Sequence, residues 1–429
     1  MPEGRAHTYL RRTIDEELDE LLAGVSAIAL EGPKGVGKTL TALQRARTVR
    51  RLDEEAQATL VAADPSLAVT GPCPILIDEW QRVPGSWDAV RRAVDEDPTP
   101  GRFLLTGSAQ PSGPPTHSGA GRIIRLRMRP MSLAERRIEA PTVSMAALLR
   151  GDRPPIAGVT GISLRDYAEE IVRSGFPALR GVSGRALRAQ MDSYVDRIVD
   201  KDFPELGFVA RSPDNVRRWM RAYAAATATT ATLETIRNAA TSGMTDKPGR
   251  DSVLAYRSLL EKLWILDPVP AWLPSRNHIA RLTQPDKHHL ADPALAVSLL
   301  GTDIDALLSG DNTGIAIPRD GALLGHLFES LVTQSVRVYA QAAEAETRHL
   351  RTGNGRQEID LIVQRRDARV MAIEVKLSGS IADRDVRHLK WLKEQIGEDL
   401  IESVVIHAGP AAYRRSDGIA VIPAALLGP

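Results

Sequence analysis

The sequence predicts an α/β chain in three parts: a parallel sheet carrying a glycine-rich loop, a helical middle, and a second α/β domain. Three stretches predict it. Gly32-Pro33-Lys34-Gly35-Val36-Gly37-Lys38-Thr39 has the spacing G-x-x-x-x-G-K-[ST], and lies between an apolar run, Ala27 to Leu30, and a helix-forming run, Leu40 to Val49. Pro74-Ile75-Leu76-Ile77-Asp78-Glu79-Trp80 is an apolar strand ending in two acids. Near the far end, Glu358 to Val363 and Met371 to Lys376 read as strands across a hairpin-like gap at Arg365 to Arg369.

The chemistry of the first stretch follows from its residue types. Small residues let the backbone curl so that successive N–H groups point at phosphate oxygens, which makes Gly32, Pro33, Lys34, Gly35, Val36, Gly37 and Leu40 the expected lining of a nucleotide cup. Lys38 reaches the β- and γ-phosphates, and the Thr39 hydroxyl completes a Mg²⁺ shell. The helix that follows adds its positive dipole end. Asp78, at the carboxyl edge of the sheet, is placed to hold the ion through water, and Glu79 to polarise a water for attack on the γ-phosphate. The expected ligands are ATP and Mg²⁺. Read singly, the two motifs are also compatible with a glycine-rich turn and an acidic helix cap; the strand, loop, helix order and the presence of both favour the phosphate site.

Composition bounds the rest. A chain of 429 residues is long enough for two to four domains. Its formal net charge of +1 supplies no global field of the kind that marks a nucleic-acid or membrane binder. The single cysteine, Cys73, excludes internal disulfides and reads as a small buried hydrophobe. Met1 to Glu20 is charge-rich and has no apolar leader core, and no apolar run approaches the roughly 20 residues that span a bilayer. A cytoplasmic protein without membrane contact is the expectation.

Taken in order, Tyr9 to Ala23 is helical, with Leu10, Ile14, Leu18, Leu21 and Leu22 on one face. Ala58 to Ala62 is expected as a second strand, and Ser86 to Val94 as a short amphipathic helix after the Pro84-Gly85 break. Phe103 to Ser108 is a further buried strand, whose Thr106 or Ser108 is placed either to sense a γ-phosphate or to make a Thr-Gly-Ser turn. A Pro/Ser/Gly-rich loop, Gln110 to Gly121, leads to Arg122 and the strand Ile123 to Met128. Arg122 is a candidate arginine finger, in cis or in trans, and joins Lys38 and Glu79 as an expected catalytic residue.

Several of these segments together resemble a prokaryotic family of AAA-type ATPases with a C-terminal domain of unknown function numbered 4143. They are the phosphate loop, Ile77-Asp78-Glu79-Trp80-Gln81-Arg82-Val83-Pro84, the Leu104-Leu105-Thr106-Gly107-Ser108 strand end, and Gly121-Arg122 leading into Pro130-Met131-Ser132-Leu133-Ala134-Glu135. Ser174-Gly175-Phe176-Pro177 resembles the family's glycine-phenylalanine-proline turn, and Tyr194 to Leu206 its Arg/Lys-Asp helix. Trp80 and Ser174 depart from the residues the family more often carries.

Between Asp214 and Leu300 the pattern is of short helices. Val216-Trp219-Met220-Tyr223, Leu233-Ile236 and Val253-Tyr256-Leu259-Leu260-Leu263 form three apolar faces, with a turn at Gly243 to Gly249, then a strand at Trp264 to Leu266 and a Pro-rich return through Pro274. This looks like a winged helix, which the resemblance also implies. Arg250, Asp251, Arg257, Glu261 and Lys262 give the third helix a mixed outer surface, open to DNA, to a protein partner or to a purely structural role. His278, His288 and His289 lack ligand-spaced neighbours and are expected as surface histidines.

Gly321 to Tyr339 is a helix containing Glu329. An Asp on one strand and Glu-x-Lys on the next is the arrangement of the PD-(D/E)xK nuclease fold. Period-2 geometry puts Glu374 and Lys376 on one face, opposite Asp360. Asp360 and Glu374 can hold Mg²⁺, with Glu329 a further ligand through water and Lys376 orienting the attacking water. The same residues would serve equally as ion pairs in a partner-binding scaffold. Arg348, Arg351 and Arg356 suit either a phosphate backbone or a solvated basic loop. The expected division is residues 1–150 for the ATPase domain, 151–210 for a helical linker, 211–312 for the winged helix and 313–429 for the nuclease-like domain. The expected function is an ATPase whose nucleotide state controls the C-terminal modules. The alternatives are an ATP-gated metal-dependent nuclease acting on DNA or RNA, and a non-catalytic, antitoxin-like switch that binds a protein.

Overall fold

The computed structural model describes residues 9–108, 118–209, 212–242, 248–274, 284–309, 321–352 and 355–429. His278, most of the Gln110 to Gly121 loop and most of the Gly243 to Gly249 turn lie outside the described residues. The chain divides into two compact units, Met1–Arg129 with Lys262–Trp264, and Pro130–Glu261 with Ile265–Pro429. Among the described residues no helix is long and apolar enough to cross a membrane.

The first unit is a five-stranded sheet of β1 (Ala27–Glu31), β2 (Thr48–Arg51), β3 (Ile75–Asp78), β4 (Phe103–Gly107) and β5 (Ile123–Arg127). The order is β2-β3-β4-β1-β5, and every neighbouring pair is parallel. Every residue of β1, β3 and β4 is buried, as expected of apolar strands covered on both faces. Around them run the helices Ile14–Gly24, Lys38–Leu43, Glu55–Ala63 and Gly85–Glu96. Trp80 and Trp87, ring centroids 4.5 Å apart, close one core against Ile75, Ile77, Phe103 and Leu105.

One strand is not where the apolar pattern puts it. Ala58 to Ala62 lies in the helix Glu55–Ala63 and buries only Val61, whereas the second strand is Thr48–Arg51, beginning within the end of the run read as helix. The helix after the phosphate loop stops at Leu43 because the amides of Arg47 and Thr48 both turn to Pro74 O, at 2.8 and 3.3 Å, and start the pairing with β3. A short run of Ala, Leu and Val carries no period that separates the two states. The edge strand Thr-Val-Arg-Arg is half-buried throughout and offers little apolar signal.

The second unit holds a seven-stranded sheet in the order β7-β12-β13-β11-β10-β9-β8. Its strands are β7 (Gly158–Val159), β8 (Glu346–Arg351), β9 (Glu358–Gln364), β10 (Val370–Lys376), β11 (Leu400–His407), β12 (Ala411–Arg414) and β13 (Ala420–Pro423). A two-stranded pair joins β6 (Val143–Ser144) to β14 (Leu427–Gly428). β9 runs antiparallel to β8 and β10, while β10, β11 and β13 are mutually parallel. The helices Gly321–Ala342 and Arg387–Ile396 pack on this sheet, and Leu389 and Leu392 enter its core beside Ile362, Ala372 and Val405.

The three middle helices are Pro213–Ala225, Leu233–Ala240 and Arg250–Lys262. No regular strand follows at Trp264 to Leu266. Isolated antiparallel bridges Leu266–Leu290 and Val269–Lys287 form a ribbon instead, because Pro268 and Pro270 have no amide hydrogen to continue a ladder. The ribbon meets the sheet edge at β8: Trp272 N donates to His349 O at 2.6 Å, and His349 N to Pro270 O at 3.0 Å.

Two segments that resemble family motifs form one buried network. Ser132 and Glu135 make a capping box. The amides of Leu133 and Ala134 are satisfied by Ser335 Oγ at 3.1 Å and Tyr339 OH at 3.0 Å. The fully buried Arg136 side chain donates to Met131 O (2.8 Å), Glu170 O (2.7 Å), Glu170 Oε2 (3.3 Å) and Gln334 Oε1 (3.2 Å), with Asp292 Oδ2 at 3.9 Å. Asp292 Oδ2 also accepts from Gly175 N at 2.6 Å, and a Cβ on Gly175 would stand 2.8 Å from both Met131 N and O. Removing one member of such a group leaves its partners charged and dry. Arg136→Met is therefore expected to destabilise the second unit by about 3–5 kcal/mol, read as a lower urea midpoint.

Candidate functional site

In a parallel sheet every strand ends at the same edge, and here that edge gathers the polar groups of the first unit. The phosphate loop leaves β1 at Glu31. Gly35 and Gly37 take φ of +79° and +108°, a left-handed backbone suited to glycine. Gly32 is fixed by space: a Cβ there would lie 2.2 Å from Met128 O. The loop is braced from beneath by the buried Arg12, which donates to Val36 O at 3.0 Å and Arg129 O at 2.9 Å. Leu40, on the first turn of the following helix, is 44% exposed.

Lys38 is 5% exposed and curls back on the loop, its Nζ donating to Gly32 O and Pro33 O, each at 2.8 Å. Burial lowers its pKa to about 8, against the opposing pull of Glu79 and Asp78. Asp78 Oδ1 accepts from Thr39 Oγ1 at 2.8 Å and also from Thr106 Oγ1, which the β3–β4 register sets directly beside it. Glu79 sits at φ +54° and accepts from Ser108 Oγ at 2.9 Å and from Gln81 Nε2. Thr106 and Ser108, read as alternatives, thus each hold one of the two acids. Gln81 and Arg12 escaped sequence reasoning. Gln81 lies inside the quoted acidic motif; Arg12, in the approach to the first helix, carries no local signal.

Arg122 is not brought to this edge. It precedes β5, whose Ile123 is level with Ala27 at the amino end of β1, whereas the loop follows Glu31, level with Arg127. Four residues of strand, roughly 13 Å, separate the two ends. Arg122 Nε bonds Asp95 Oδ1 at 2.8 Å. Arg122 is therefore not placed as a finger in cis, since a residue that enters a parallel strand lies opposite the residues that leave one.

The second cluster lies in the second unit. Asp360 on β9 faces Glu374 and Lys376 on β10, and Glu329 approaches from the helix Gly321–Ala342. The expected quartet is together, but its centre holds a residue the sequence reading passed over. Lys287, 1% exposed, places Nζ 2.8 Å from Glu329 Oε1, 3.2 Å from Asp360 Oδ1 and 3.6 Å from Glu358 Oε1. Asp360 Oδ2 accepts from Val375 N at 2.9 Å, and Glu374 Oε2 from Lys376 Nζ at 2.7 Å. Burial, then the charge of Asp360, pushes Glu374 up to about 8 and Glu329 up to about 7. Burial opposes ionisation of Asp360 as well, but Lys287 and then Lys376 outweigh it and hold its pKa below the usual value.

Among the described residues no group of three or more His, Cys, Asp or Glu side chains is arranged to hold a metal ion. The residues expected as a metal set, Glu329, Asp360, Glu374 and Lys376, are instead paired here with lysines, Glu329 and Asp360 with Lys287 and Glu374 with Lys376. His288 and His289 are not surface residues either. They are 4% and 2% exposed and bond Ala231 O (2.7 Å) and Ser330 Oγ (3.2 Å), and burial depresses the pKa of both. Arg348 and Arg351 lie beside Glu346 and Glu358, at 2.7 and 3.8 Å.

The fold and loop define the first unit as a P-loop ATPase-type domain. Residues 25–136 match the family of the AAA domain, residues 324–427 a Domain of unknown function (DUF4143), and residues 164–306 a further Domain of unknown function (DUF8612). The chain thus carries an AAA domain at its N-terminal end and a DUF4143 domain at its C-terminal end. Uncharacterized proteins of Mycobacterium bovis and Mycobacterium tuberculosis are each 26% identical over 215 residues, which is 49% of this chain and 43% of theirs. The chain therefore matches less than half the length of these relatives. Among solved structures, the Aeropyrum pernix ORC2 protein is 15% identical over 72% of this chain and 95% of its own, at a TM-score of 0.30. A Thermotoga maritima RuvB mutant is 16% identical over 60% and 88%, at 0.26.

Because the Met128 carbonyl closes on Gly32, Gly32→Ala is expected to destabilise the first unit by about 1–3 kcal/mol. A downward shift of its thermal transition, followed by near-ultraviolet circular dichroism of Trp80 and Trp87, checks this.

Proposed function

We propose that this protein binds and hydrolyses ATP with Mg²⁺, and that its nucleotide state controls the modules of the second unit. The observation that carries the reading is Asp78 Oδ1, which accepts at once from Thr39 at the loop and Thr106 at the neighbouring strand end, beside a buried Lys38. Lys38 spends its hydrogen bonds on two loop carbonyls, and γ-phosphate oxygens are stronger acceptors for the same ammonium. Gly32 to Gly37, with Leu40 at the rim, form the cup. Thr39 and Asp78 are the oxygen donors that suit Mg²⁺, which when bound neutralises phosphate charge. Glu79, held by Ser108 and Gln81, is the residue that orients and deprotonates the attacking water. Arg122 is left to a role in trans. A nucleotide shifts the second unit only through a difference in affinity for its two arrangements. The three middle helices and their ribbon support the winged-helix reading, and the partner of these modules is a nucleic acid or a protein.

Calorimetry with MgATP is expected to show binding by the wild type that Lys38→Ala loses by at least about tenfold. Glu79→Gln is expected to keep binding and to lose turnover by about 10²-fold or more. Equal binding by wild type and Lys38→Ala ends the proposal. The lowered Lys38 pKa adds a signature of proton linkage. Near pH 8 the free site is partly neutral at Lys38 and phosphate restores its charge, so binding takes up protons there and not at pH 6.5. Heats measured in buffers of different ionisation enthalpy read the uptake directly.

A further inference from the structure

The acidic cluster of the second unit already contains a cation, and that cation belongs to the chain. Lys287 is carried by the ribbon and not by the nuclease-like strands or their helix. Its backbone is pinned by reciprocal bonds with Val269, N to O at 2.9 Å in each direction. Bonds from Asp267 N to His289 O (2.9 Å) and from Ala291 N to Ile265 O (2.8 Å) continue the ribbon on one side of it. From there its ammonium reaches Glu329 and Asp360, at 2.8 and 3.2 Å.

A Mg²⁺ ion needs carboxylate oxygens at about 2.0–2.1 Å and six ligands in near-octahedral order; Ca²⁺ needs more ligands still. Glu329 Oε1 and Asp360 Oδ1 already face the ammonium, and Asp360 Oδ2 is turned to the Val375 amide. Glu374 is taken by Lys376, leaving Oε1 buried without a hydrogen bond and 3.8 Å from His388 Nδ1. An ion and the Lys287 ammonium cannot both stand between Glu329 and Asp360. Withdrawing the lysine would strand buried carboxylates, and its ammonium is 1% exposed where it stands.

We propose that Lys287 is the resident cation of this site: it takes the place of a divalent ion between Glu329 and Asp360 and latches the ribbon to the sheet. The DUF4143 module is then metal-free in its native state, and its carboxylates bind a chain segment where a nuclease of this pattern binds metal. This inference is independent of ATP use by the first unit.

Mn²⁺ is the probe, followed by electron paramagnetic resonance without nucleotide, in an Asp78→Asn background that silences the ion ligands of the first unit. The Asp78→Asn parent is expected to bind no Mn²⁺ below millimolar concentration. Adding Lys287→Ala is expected to lower the melting temperature and to create a site at least about tenfold tighter for Mn²⁺, since the freed carboxylates then need a cation. Mn²⁺ is expected to restore part of the lost melting temperature, and a further Asp360→Asn to abolish both gains. The proposal is overturned if the parent binds Mn²⁺ and Asp360→Asn removes that binding. It is equally overturned if Lys287→Ala folds with an unchanged melting temperature and no gain in Mn²⁺ affinity. Should Lys287→Ala fail to fold, the parent titration decides alone: Mn²⁺ held at Asp360 refutes the proposal, and its absence supports it.

Discussion

A cation removed from water has to be met by oxygen atoms at hydrogen-bond distance, and three lysine and arginine side chains under this constraint organise the protein. Lys38 is met by two carbonyls of its own loop, Arg136 by Glu170, Gln334 and the Met131 carbonyl, and Lys287 by Glu329 and Asp360. Each solution differs in what it leaves open. The carbonyls around Lys38 are neutral, so its hydrogen bonds solvate the charge while Glu79 and Asp78 only partly offset its burial. Arg136 and Lys287 face carboxylates, so their charges are compensated within the fold.

In the first unit the parallel sheet decides which residues act together. Strand ends at the carboxyl edge place Asp78 beside Thr106 and bring Thr39 within a hydrogen bond of the same oxygen. The rule that assembles these groups also removes Arg122, because a residue leading into a strand stands at the other edge. That exclusion follows from chain direction alone and was open to a reading that tracked which end of the strand each loop joins.

The second unit uses its charged residues to join segments distant in sequence. Arg136, Glu170, Asp292 and Gln334 come from four separate segments and meet with almost no water access. The Pro130 to Glu135 stretch and the Gly175 turn owe their residue types to that meeting: a serine that caps, an acid that returns the cap, and a glycine with no room for a Cβ. Lys287 makes a comparable junction between the ribbon and the sheet through Glu329 and Asp360.

By itself the sequence determined the loop from Gly32 to Thr39, the strands at Ile75, Phe103, Glu358 and Val370, the middle helices, and the convergence of Asp360, Glu374 and Lys376, because each rests on spacing within one or two neighbouring elements. Only the tertiary structure decided the helical state of Ala58 to Ala62, whose apolar run has no distinguishing period, and the edge strand Thr48 to Arg51, which exists through its bonds to β3. It also decided the fate of the histidine and lysine segment at 287–289. Nothing local marks Lys287 as buried, since the carboxylates that make burial tolerable lie 42 and 73 residues further along the chain. Charge compensation across that separation is set by the folded backbone, and no periodicity along the chain encodes it.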